Sequence, residues 1–167
     1  ADVCMPDEPP SKIEKLLHKT TVIVAIDGGS ASGKTTLASV LQEVYDCNVF
    51  HMDDFFLQPH QRTPQRYAQT GGNIDYERFL KEVLKPLKNK EIINYRKFGC
   101  MSMQLKAPVS VEPEKLNIIE GAYSMHPEFE KYYDFSVFLE ISPQKQKERI
   151  LKRNSTREAN RFFNEWI

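Results

Sequence analysis

The eight residues Gly28-Gly29-Ser30-Ala31-Ser32-Gly33-Lys34-Thr35 follow the spacing G-x-x-x-x-G-K-[ST] of a phosphate-binding loop. Gly28 and Gly33 permit a tight turn whose backbone N–H groups face inward onto phosphate oxygens. Gly29, Ser30, Ala31, Ser32 and Thr36 complete the cradle. The start of the next helix adds a partial positive charge at the same point. Lys34 is expected to reach the β- and γ-phosphates as a point charge, and Thr35 to offer its hydroxyl to Mg²⁺. A glycine turn that merely caps a helix would need no such flanks. Here Thr21 to Asp27 is a β-branched apolar run suited to a buried parallel strand. Leu37, Val40, Leu41 and Val44 then recur at helical spacing.

Acidic residues stand where such a loop would use them. Residues 47–51 read as a second short strand, ending in Met52-Asp53-Asp54-Phe55-Phe56. Open α/β sheets bind ligands beyond the carboxyl ends of their strands. A carboxylate of Asp53 or Asp54 at that point can take the proton of an attacking hydroxyl or hold Mg²⁺ through water. The bland alternative is a pair of turn aspartates. Residues 115–121 form a third core strand that ends on Glu120 and Gly121, and this places Glu120 near the magnesium. Residues 135–141 form a fourth strand. Ser142 and Pro143 then open a helix as cap and first residue. That helix carries Lys145, Lys147, Arg149, Lys152 and Arg153, with Arg157 beyond. Arg149 and Arg153 share one face. They either offset charge on a transferring phosphoryl group or form a solvated surface.

Between these elements lies the acceptor side. Residues 58–73 show no periodicity and read as a long surface loop. A helix then opens at about Asp75 and runs to about Leu87, with Phe79, Leu80, Val83, Leu84 and Leu87 apolar. Asp75 is either its cap or a ligand for substrate hydroxyls. Residues 92–95 and 104–106 suggest an antiparallel hairpin around Phe98-Gly99-Cys100. Its aromatics either wall an acceptor site or pack on the core.

Composition bounds the rest. The 167 residues suit one domain with a real core. Lys plus Arg equals Asp plus Glu at 23 each, so no basic excess argues for a nucleic-acid partner. No apolar run reaches membrane-spanning length, and residues 1–10 lack the apolar centre of a signal peptide, so a cytoplasmic protein is expected. Cys4, Cys47 and Cys100 are scattered and odd in number, which fits reduced thiols rather than a disulfide frame or zinc site. His18, His51, His60 and His126 are dispersed and read as surface or satisfied core residues. Residues 1–20 are a polar tail and a short helix capped by Ser11, and residues 21–167 the functional domain.

Taken in order, GGSASGKTT, MDDFF and IIEGAY resemble the uridine kinase and phosphoribulokinase group of phosphate-loop kinases. The resemblance runs from about Thr21 to the C-terminus. It implies a three-layer α/β/α fold with a mainly parallel sheet of about five strands and a small substrate-side hairpin. It also implies ATP and Mg²⁺ as cofactors and a nucleoside-like small molecule as acceptor. Asp53 maps onto the group's base near the metal, Glu120 onto its strand-end acid, and Arg149 and Arg153 onto its lid. Asp54 and Phe56 fall at substrate-facing positions. Asp75 lies near a ribose-contacting acid and Tyr95 near a base-contacting aromatic. Asp54 and Phe56 depart from the Asp-Ser-Phe-Tyr usual in uridine kinases, and Cys100, Met101 and Met103 replace the hairpin's histidine. The chain also stops before the group's last strand and much of its lid. The expected activity is phosphoryl transfer from ATP to a nucleoside hydroxyl. Other small alcohols are alternatives: nicotinamide riboside, pantothenate, a sugar or a sugar phosphate. An ATP-binding regulatory module is the alternative of another class. A homo-oligomer is left open.

Overall fold

The computed structural model describes residues 18–153. The tail, the helix expected from Ser11, Cys4, Arg157 and the C-terminal end lie outside the described residues. Four parallel strands form the central sheet: β1 (Val22–Gly28), β2 (Cys47–His51), β7 (Leu116–Glu120) and β8 (Phe135–Leu139), in the order β2-β7-β1-β8. Helix α1 (Lys34–Val44) links β1 to β2, and α4 (Pro143–Arg153) follows β8. The fold is α/β with a mainly parallel sheet, as expected.

Successive side chains on a strand point to opposite faces, so each strand serves two cores. Ile26 and Ile118 face α1, where they meet Ala38, Leu37 and Leu41. Ile23, Phe50 and Ile119 face the other way, into a larger core with Met52, Phe55, Phe79 and Phe129. Phe55 packs edge-on to Phe79, at 4.8 Å and 82°, and Phe79 lies tilted at 55° against Phe129, at 5.1 Å. The apolar stripe expected on α1 holds only in part. Leu37 and Leu41 are partly covered and Ala38 is buried, but Val40 and Val44 are exposed.

The second core is closed by one helical run from 76 to 88, called α3. It is α-helical over Tyr76–Phe79, widens to a π turn over Leu80–Leu84, and returns to α over Lys85–Lys88. Pro86 explains the widening. Its ring has no N–H and would clash with the carbonyl four residues back, and a π turn relieves that clash.

Two sequence expectations are corrected here. Residues 58–73 are not a featureless loop. They contain a 3₁₀ turn at Pro59–Gln61 and a one-turn helix, α2 (Pro64–Tyr67), capped by the Thr63 hydroxyl with Pro64 at its first position. The hairpin also has a different register. Ile93–Tyr95 (β3) pairs with Val109–Val111 (β6), while Phe98–Gly99 (β4) pairs with Gln104–Leu105 (β5). The outer pairs sum to 204 and the inner to 203, so one extra residue sits between the two ladders.

Candidate functional site

Parallel pairing aligns the carboxyl ends of the strands, and that alignment builds the site. His51 of β2 sits directly opposite Glu120 of β7, and Glu120 opposite Ile26 of β1. The loop therefore emerges from β1 beside the acidic strand end, and Asp53 lies two residues beyond His51, in the 3₁₀ turn Met52–Phe55. Together they line a cleft of about 1080 Å³, large enough for a nucleotide and a small partner.

The loop has the backbone of an anion nest. Gly33 caps α1 with a left-handed φ of 102°, and Ala31, despite its side chain, has φ 59°. Gly28 is required by contact as well as by angle. At φ 149° an added Cβ would come within 2.4 Å of the Leu139 carbonyl oxygen on the neighbouring strand. Asp27, which the sequence reading passed over, fixes the start of the loop. Its carboxylate accepts from Gly28 N at 2.6 Å and from Met125 N at 2.9 Å. An acid at the end of β1, just before the glycine pair, is the signal that could have found it.

The Lys34 ammonium donates to the carbonyls of Gly28 (2.9 Å) and Gly29 (2.8 Å). Burial lowers its pKa, against the opposing pull of Glu120, Asp27 and Asp53. The buried Ser32 hydroxyl has no protein partner. A nested backbone, a half-buried cation and an unpaired hydroxyl together fit a polyphosphate. From α4, Gln146 donates to the Ser30 carbonyl and Arg149 to the Ala31 carbonyl, both at 2.9 Å. Arg149 and Arg153 both line the cleft.

The acidic side is equally compact. The Thr35 hydroxyl lies 3.3 and 3.4 Å from the two Glu120 oxygens, and His51 Nδ1 lies 2.5 Å from Glu120 Oε1. Asp53 has its pKa raised, first by burial and then by the negative charge of Glu120. Hydroxyl and carboxylate oxygens are hard donors suited to Mg²⁺, which binds through one or two carboxylates together with substrate phosphates. Among the described residues no three His, Cys, Asp or Glu side chains form a metal cluster by themselves.

His51, expected as a surface or satisfied core residue, is half-exposed and hydrogen-bonded to Glu120. Its pKa is raised, chiefly by the hydrogen bond to that carboxylate. Because the folded value is the higher one, the stabilisation is complete below the unfolded pKa of about 6.5 and is lost as pH rises through the folded value. Urea melts of wild type and His51→Ala should therefore differ most on the acid side of that window and converge above it. A difference that grows with pH would contradict the pairing.

The remaining candidates divide. Phe56 lines the cleft, as do Gly28 through Thr36 and Glu120. Asp54 does not; its carboxylate pairs with Lys97 of the hairpin at 3.2 Å. Asp75 is buried, caps α3 by accepting from Arg78 N at 3.2 Å, and pairs with the Arg78 guanidinium at 3.1 Å. It is a cap and not part of the cleft wall. Tyr95 is buried against Phe50 and Phe55, with centroids at 5.5 and 5.9 Å, so its ring also belongs to the core. Phe98 is buried too, so the hairpin aromatics do not wall the cleft.

A phosphate loop at the end of a parallel sheet, with acids on two neighbouring strand ends, defines the class: a P-loop protein of α/β fold. Residues 21–93 match the family model of chloramphenicol phosphotransferase-like proteins. The chain is 26% identical over 147 residues to a uridine kinase of Chlamydia pneumoniae, covering 83% of this chain and 64% of that one. It is 30% identical over 172 aligned positions to a bifunctional alpha-galactosidase/sucrose kinase of Mediterraneibacter gnavus, covering 83% of this chain and 17% of that protein. It spans less than two-thirds of the length of either curated relative. A solved structure described as a possible uridine kinase from Bacillus stearothermophilus superposes with a TM-score of 0.64 at 22% identity, over 91% of this chain and 87% of that one. In fold the chain is similar to that structure. Among the described residues no helix is long and apolar enough to cross a membrane.

Proposed function

We propose that this chain transfers the γ-phosphoryl group of ATP to a hydroxyl of a small molecule, with a nucleoside as the first choice of acceptor. The observation that carries this reading is that Asp53 and the phosphate loop line one open cleft. Asp53 orients the acceptor hydroxyl and takes its proton as the new oxygen–phosphorus bond forms. The raised pKa of Asp53 makes it a better base than an ordinary aspartate. Lys34 and the loop amides hold the phosphates in line with that hydroxyl. Arg149 and Arg153, reaching over the loop from α4, offset charge that builds on the phosphoryl oxygens. Thr35 and Glu120, with Asp53 nearby, would hold Mg²⁺, which when bound neutralises phosphate charge.

A sugar is the second reading, favoured by the relative that carries a sucrose kinase. An ATP-consumption screen against uridine, cytidine, nicotinamide riboside, pantothenate, sucrose and sugar phosphates tests both. The expected result is ADP formed only with an acceptor, matched one to one by phosphorylated product. Phosphate release that needs no acceptor would replace this reading with that of a regulatory ATPase module.

A further inference from the structure

The acceptor side of the cleft is built by residues other than those the resemblance points to. Asp75 and Tyr95 are turned into the core. The segments that follow Asp53 and Glu120 put Phe56, Asn73, Ile74 and Tyr123 on the cleft wall instead. Tyr123 is unusual among them in two ways. It is 41% exposed, whereas Phe56 and Asn73 are half-buried and Ile74 is buried. Its backbone has φ 65°, a conformation that costs a residue with a Cβ and that persists only where the surroundings enforce it.

The surroundings do enforce it. Ser124 N donates to the Gly121 carbonyl at 3.1 Å, and the Ser124 hydroxyl donates to the Ile26 carbonyl at 3.0 Å. Met125 N donates to the Asp27 carboxylate at 2.9 Å, and the Tyr133 hydroxyl donates to the Ser124 carbonyl at 2.5 Å. His126 N donates back to the Tyr123 carbonyl at 3.1 Å. Behind the ring lies Gly71, itself at φ 63°, where an added Cβ would come within 3.3 Å of Tyr123 Cγ and 3.0 Å of His126 Cδ2. His126 in turn stacks on Tyr76 at 4.5 Å and contacts the Thr70 carbonyl through Nε2 at 3.1 Å. A hydrogen-bonded turn with a left-handed residue thus holds an aromatic ring at the edge of the cleft, close to Gly71 and half exposed. Packing alone gives no reason to hold a half-exposed ring this way.

We propose that Tyr123 is the acceptor platform: the flat face of a ring-bearing alcohol rests on it, and the Asn73 amide meets a polar substituent of that ring. This rests on the kinase reading of the same cleft. Stacking of this kind is sequence-tolerant and substantial for a nucleobase, and it extends to the apolar face of a sugar ring.

The test is calorimetric titration of the full chain with uridine and with sucrose, ADP being present so that no turnover occurs. At least one of the two should bind wild type. Tyr123→Phe should keep that affinity, and Tyr123→Gly should weaken it by about tenfold or more. Tyr123→Gly also separates this role from a structural one. Glycine adopts φ 65° without cost, so the variant should melt at least as high as wild type while losing the acceptor. Unchanged affinity in Tyr123→Gly overturns the proposal, and so does failure of both ring compounds to bind wild type. If the acceptor binds through Tyr123 but is not phosphorylated when ATP replaces ADP, the platform stands and the kinase reading falls.

Discussion

Asp53→Asn should lower turnover by about 10²- to 10⁴-fold, the range assigned to a general base, while ATP still binds. The amide can accept a hydrogen bond from the acceptor hydroxyl but cannot take its proton. The loss should therefore fall on kcat, with acceptor KM changed far less. The pH profile gives a second readout. Burial and the neighbouring Glu120 raise the pKa of Asp53, and the ionised form is the active one. The acid limb of kcat/KM in wild type should then lie above the value of about 3.9 expected for a free aspartate. That limb should be absent from whatever activity the variant retains. Stability should move the other way. A carboxyl whose folded pKa is raised loses stability as pH climbs through that value, whereas Asn does not titrate. The variant should consequently melt slightly higher than wild type at neutral pH, the usual relation between a strained site and stability. Unchanged turnover would remove Asp53 from the chemistry.

The parts of this site that were readable in the sequence are those set by backbone geometry. The loop spacing, the β-branched run before it and the strand end at His51 leave little freedom, because parallel pairing forces their carboxyl ends together. Glu120 beside Thr35 follows from the same alignment. Side-chain direction was harder to read. The resemblance gave Asp75 and Tyr95 substrate-side places, yet Asp75 takes the other role open to it, the helix cap, and Tyr95 fills a core. For Tyr95 a cue was present: in β3 Ile93 is buried, Asn94 exposed and Tyr95 buried, so period-two alternation with Ile93 sends the ring inward. The hairpin register was misjudged because its strands are two or three residues long, and one inserted residue moves the partner of Ile93 to Val111. The Thr63-Pro64 cap signal inside the supposed loop was legible but overlooked. His51 lies in no motif, and Tyr123 closes the IIEGAY motif with nothing there to mark its ring. Each matters through a neighbour far along the chain, Glu120 in one case and Gly71 in the other.

The second large effect concerns Lys34. In this structure its ammonium sits on two loop carbonyls, at 2.9 and 2.8 Å, and burial already lowers its pKa. It is thus a cation held beside the nest at some desolvation cost, awaiting negative charge. Lys34→Ala removes charge-assisted hydrogen bonds worth about 1.5–3 kcal/mol, which corresponds to roughly 10- to 150-fold in ATP affinity. Ligand-induced stabilisation is a direct measure. At an ATP concentration 100 times the wild-type Kd, wild type should gain about 2.7 kcal/mol, and a variant weakened about 100-fold only about 0.4 kcal/mol. The ligand-free protein should change less, because the Gly29 contact it loses is exposed and the Gly28 contact only partly buried. Lys34→Arg should not restore binding, since a planar guanidinium is larger and cannot reproduce a point charge between two carbonyls. If ATP stabilised Lys34→Ala as strongly as wild type, the nucleotide phosphates would have to bind somewhere other than this loop, and the functional reading built on Asp53 would lose its donor.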